Sequence, residues 1–219
     1  IVEQRPDEWF PLNYRASIRY LLGDFEGAKA DFDRVFELNP DTNFPYVTST
    51  VIALRQGRIS DAQSYINITL TRFADTTFGN RIATAVYGRN SNVFGPLFSA
   101  FGNILLGQYE QAITDAQQAA TVVPTLAEPH LLEGLANCSL GQYEAAETAY
   151  SQAIELDPTF AVLYLLRAEV RNYLGDLGGA FADLNAAREA NLGEEFDDFL
   201  AQAVSGEITC QNFFDVRSN

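Results

Sequence analysis

Sulfur and imidazole are scarce in this chain, which carries two cysteines, Cys138 and Cys210, and one histidine, His130. The cysteines stand too far apart in sequence to form a paired-cysteine metal motif, so the chemistry open to them is oxidation. A Cys138–Cys210 bridge in an oxidising compartment would close a long loop and add roughly 4 kcal/mol of stability. The alternative is two free thiols, one of them packed as a small apolar residue. A single histidine, with no phosphate-binding loop and no nucleophile motif, builds no catalytic constellation, so no enzyme activity, cofactor or metal site is expected. His130 reads as core filler. Two segments fit the N-glycosylation acceptor pattern, Asn67-Ile68-Thr69 and Asn137-Cys138-Ser139. Both fall inside expected helices and the second contains a candidate bridge cysteine, so both read as coincidence.

The elements that must hold these residues announce themselves through a period. Gly23, Gly57, Gly107, Gly141 and Gly175 each precede an alanine by five residues, at Ala28, Ala62, Ala112, Ala146 and Ala180. Three of the four gaps between the glycines are 34 residues, and the fourth, Gly57 to Gly107, is 50, one period plus 16. After each glycine, apolar residues recur at spacings of three and four, as in Phe25, Ala28, Phe32 and Val35, the stripe of a helix that buries one face. Before each glycine runs another helical pattern, at 12–22, 46–56, 97–106, 130–140 and 163–174, with a small residue seven positions ahead of the glycine. Small residues at facing positions let two antiparallel helices meet around a tight glycine turn. Pro40, Pro124 and Pro158 close three of the units.

The unit from His130 to Pro158, HLLEGLANCSLGQYEAAETAYSQAIELDP, resembles a tetratricopeptide repeat (TPR) at nearly every packing position. The resemblance covers roughly residues 9–192. It implies an all-α, right-handed superhelical solenoid of five helix-turn-helix units at about 9–42, 43–76, 93–126, 127–160 and 161–193. An insertion spans 77–92, a capping helix 194–204 and a tail 206–219, so that one continuous array occupies 1–205. Unit two departs from the pattern, with Thr50 and Thr69 at small apolar positions. The family implies a scaffold for protein contacts and leaves the partner open.

Twenty-nine acidic against fourteen basic residues give a net charge of −15, which argues against nucleic acid or an anionic membrane surface as partner. No Lys or Arg lies between Arg89 and Arg167. Glu110, Asp115, Glu128, Glu133, Glu144, Glu147, Glu155 and Asp157 fall in that stretch and read as a solvated acidic face. No apolar run is long enough to span a bilayer. One lysine against thirteen arginines, no methionine and a chain that starts at Ile1 point to a processed, exported protein, periplasmic or extracellular.

In the family, the inner wall of the superhelix is built from the first helix of each unit. Carried over, that wall comprises Tyr14, Tyr20, Phe44, Val51, Phe94, Leu97, Phe98, Phe101, Ile104, Leu105, Leu131, Leu132, Leu135 and Tyr173. Arg55 is an isolated cation there, so the Lys/Arg/Asn clamp with which many TPR domains hold a peptide carboxylate is not expected. An apolar groove of this size calls for an occupant. Three candidates are a foreign helix or peptide, a terminal segment of another copy, and the protein's own tail with Ile208, Phe213, Phe214 and Val216, which a bridge at Cys210 would draw onto the wall. The first makes the chain an interaction scaffold. The second makes it a self-assembling subunit, an oligomer or filament. An apolar small-ligand carrier is a further alternative.

Overall fold

The computed structural model describes residues 8–40, 44–72, 95–190 and 193–213. Among them are eleven α-helices and no strand: α1 (Trp9–Leu21), α2 (Phe25–Leu38), α3 (Phe44–Arg55), α4 (Ile59–Arg72), α5 (Gly95–Leu105), α6 (Tyr109–Val122), α7 (Glu128–Ser139), α8 (Tyr143–Leu156), α9 (Ala161–Tyr173), α10 (Leu177–Glu189) and α11 (Glu194–Ser205). The first ten form five antiparallel pairs, and α11 follows as the cap. The insertion at 77–92, Phe94, and the end of the tail with Phe214 and Val216 lie outside the described residues.

Each pair turns on its glycine. Gly23, Gly57, Gly107, Gly141 and Gly175 all have φ between 68° and 81°, where a Cβ is strained. In the first and last pairs the second helix starts on an aspartate: Asp24 accepts from the Gly27 N–H at 3.0 Å, and Asp176 from that of Gly179 at 2.9 Å. Between the two helices of a pair, small residues set the spacing. A Cβ on Gly134 would lie 2.4 Å from the buried Tyr150 ring, so that position can hold only glycine without moving α8 off α7. The two threonines of the second pair fit because their hydroxyls turn inward on their own helices. Thr50 donates to the Tyr46 carbonyl and Thr69 to that of Tyr65, both at 2.8 Å.

The pairs do not simply stack in line. α3 reaches α9, and α4 reaches the cap α11, where the Ser60 N–H donates to the Glu195 carboxylate. One hydrophobic core therefore runs from α1 to α11.

Candidate functional site

Inward folding decides the fate of the groove. Tyr20, Val47 and Val51 from α1 and α3 face Leu97, Phe98 and Phe101 of α5 and Leu131 and Leu132 of α7, around a residual cavity of about 20 Å³. That is space for about one water. Of the wall residues expected from the sequence, Tyr20, Val51, Leu97, Phe98, Phe101, Ile104, Leu131, Leu132 and Leu135 are buried, and Leu105 is half-buried. As an open wall these residues are a correction: one side of the groove covers the other, and the apolar surface that seemed to need an occupant is core. Phe94 and the side chain of Phe44 fall outside the description. Tyr14 and Tyr173 stand exposed, one near each end of the array.

Arg55 clasps the fold. Its guanidinium donates to Glu128 at 2.8 and 2.5 Å and pairs with Asp157. It also lies 4.9 Å from the Phe25 ring centre and 4.8 Å from that of Phe160. Glu128 is 1% exposed, so this pair sits inside the protein. Burial opposes the charge on Arg55, but Glu128 and Tyr20 beside it together outweigh that cost and raise its pKa. The isolated wall cation is thus occupied by the chain's own carboxylates. The acidic stretch is corrected with it: Asp115 and Glu128 are buried, and Glu147 accepts from Arg171 at 2.8 Å, so that face is only in part solvated.

A second charged arrangement repeats with the array, and sequence reading missed it. Asp31 accepts from Arg15 (2.7 and 2.5 Å) and Arg19 (2.8 Å), tying α2 back to α1. Asp183 takes the same contacts from Arg167 (2.9 and 2.7 Å) and Arg171 (2.9 Å), tying α10 to α9. In the middle pair Asp115 occupies the equivalent place and accepts from Ser99 (2.5 Å) and Asn103 (2.8 Å). The signal was present in the register: eight and four residues before the glycine, and eight after it.

Cys138 and Cys210 are joined in a disulfide with their Cα atoms 6.1 Å apart. The bridge holds the segment after α11 against the first helices of the last two pairs, as its position implied. The Cys210 N–H donates to Glu169 of α9 at 2.7 Å, while Ile208 and Phe213 pack on the core. Burial lifts the Glu169 carboxyl to about 7, against the pull of that N–H. Cys138, Cys210 and Glu169 bring their donor atoms within 4.8 Å of one another, but with both sulfurs bonded only the carboxylate remains for a metal. His130 is half-buried rather than core, with Nδ1 3.7 Å from Glu133, whose pKa is lowered by the imidazole beside it and by the Gln117 amide that donates to it. Asn137 is buried and donates to the Glu133 carbonyl, which leaves it no place for a sugar. The side chain of Asn67 lies outside the description. Among the described residues no helix is long and apolar enough to cross a membrane.

Antiparallel helix pairs on a fixed glycine register define a helical-repeat solenoid, a class whose members present surfaces to other proteins. Residues 15–42 match the family model of the tetratricopeptide repeat, and residues 134–175 match a second TPR repeat model. The chain carries tetratricopeptide repeats. A thermophilic TPR protein of Thermus thermophilus shares its fold, with a TM-score of 0.51, 20% identity, and coverage of 90% of this chain and 100% of that one. So does a chain of the APC/C hetero-tetramer Cut9–Hcn1, with a TM-score of 0.54, 15% identity, and coverage of 93% and 44%. At these identities the likeness is one of fold. No curated protein sequence matches the chain. TPR folds generally act as non-catalytic scaffolds for protein contacts.

Proposed function

We propose that this chain is a non-catalytic scaffold that receives an amphipathic helix of another protein on the outer face of α1. The observation that carries this reading is a stripe on that helix. Phe10, Tyr14, Ile18 and Leu21 follow one another at spacings of four, four and three and are 54, 61, 44 and 38% exposed. The opposite side of α1 buries Leu12, Ala16 and Tyr20 in the core. A helix that is apolar on two sides has a second surface to cover, and an i, i+4 row is the shape that a partner helix fits. The groove, filled by the chain itself, is not the surface offered.

Fluorescence anisotropy with a labelled amphipathic peptide, leucine at every third and fourth position, tests this. Binding should be lost in the triple variant Phe10→Ser, Tyr14→Ser, Ile18→Ser, whose helical content by circular dichroism stays at the parent level. Equal binding by parent and variant would remove the reading.

Self-assembly is the second reading, because the opposite end of the array also exposes apolar residues, Leu177 and Phe181 of α10. Two unlike apolar ends favour a head-to-tail contact between copies, which builds a ring or a filament. Sedimentation equilibrium that shows one monomeric species at all concentrations would eliminate it. The disulfide supports an exported location, since such bonds persist in oxidising compartments.

A further inference from the structure

We propose that the open cavity bounded by α9, α10, the end of α11 and the bridged segment behind it is a binding site for a primary ammonium group carried on an apolar stem. The cavity measures about 390 Å³, within the range of small-ligand sites. Leu165, Ala180, Leu184, Val204 and Ile208 supply apolar walls, and Glu169 stands among them as the one carboxyl. Among the described residues neither Lys nor Arg lines the space, and the sole other titratable group there is the Tyr173 phenol.

The carboxyl is held but not satisfied. Oε2 takes the Cys210 N–H, whereas Oε1 has only the Cys210 sulfur at 3.6 Å, and a sulfur in a disulfide has no proton to donate. Nearby cations are engaged elsewhere: Arg171, two residues along α9, pairs with Glu147 and Asp183. A neutral alkyl ligand would leave the carboxylate desolvated, and an anionic one would add like charge. An ammonium group brings three donors and the opposite charge, while its stem covers the leucines and valine. Such a head group can come from a free alkylamine or from a lysine of a protein partner.

Isothermal titration of the oxidised full chain at pH 8 with octylammonium and with 1-octanol tests the site. Octylammonium should bind at least about tenfold more tightly than octanol, the margin of one charge-assisted hydrogen bond. Glu169→Gln should erase that margin and leave octanol unchanged, and Val204→Trp, at the rim, should weaken both ligands. Thermal melts of each variant establish that it is folded. Equal affinity for the two ligands in the parent, or an unchanged octylammonium affinity in Glu169→Gln, would overturn the proposal, as would no octylammonium binding on the order of millimolar or tighter. A blocked hexapeptide with one lysine, set against its norleucine twin, separates the sources. Preference for lysine supports a protein partner, and preference confined to octylammonium supports a free amine.

Discussion

The outer helix pairs and the middle pair solve the same problem with different chemistry. In each, an aspartate eight residues past the glycine is buried between the two helices, at Asp31, Asp115 and Asp183. The outer two are held by two guanidinium groups each, and the middle one by a hydroxyl and an amide from the facing helix. The period fixes where a carboxyl must be met but leaves the donor free. In a stretch without lysine or arginine, neutral donors do the same geometric task.

Removing Asp183 breaks the comparison hardest. Asp183→Ala leaves Arg167, 14% exposed, without a carboxylate and takes from Arg171, 20% exposed, one of its two close ones, and should cost about 3–5 kcal/mol in urea denaturation. Asp31→Ala should cost less, since Arg15 and Arg19 are 39 and 33% exposed and can turn to water. Asp115→Ala strands only neutral donors and should cost about 1–3 kcal/mol. Three equal losses would show that donor charge makes no difference to the pairs.

Glu169 sharpens the contrast, because it is a carboxyl with neither kind of partner set. Its folded pKa, raised to about 7 from 4.5, means that the folded chain binds the proton more tightly than the unfolded one. Stability from this group is therefore full at acid pH and falls as pH rises from about 4.5 through about 7. Glu169→Gln should raise the melting temperature at pH 8, by the equivalent of a gain on the order of 1–3 kcal/mol, and change it little at pH 5. A parent and variant that differ equally at both pH values would refute the shift.

Where contacts are local, the sequence was a good guide. The glycine period located the ten paired helices to within a few residues, because hinge and small-residue signals lie within one unit. Contacts between distant units left no such trace. Arg55 was visible as a cation without a neighbour, yet nothing in a 34-residue repeat indicates that Glu128 and Asp157 will meet it. For the same reason Phe98, Phe101 and Leu131 read as a wall awaiting an occupant, when Tyr20 and Val51 already supply one. The bridge was legible as a possibility because helical geometry aims Cys138 at the side where the tail arrives.

Repeat arrays ordinarily melt like a zipper, each unit answering only to its neighbours. The clasp at Arg55 removes that freedom. With the second pair fastened to the fourth, and α3 reaching α9 of the fifth, loss of either end must loosen both, and heat or denaturant should find a single cooperative block where a spring would have let go coil by coil.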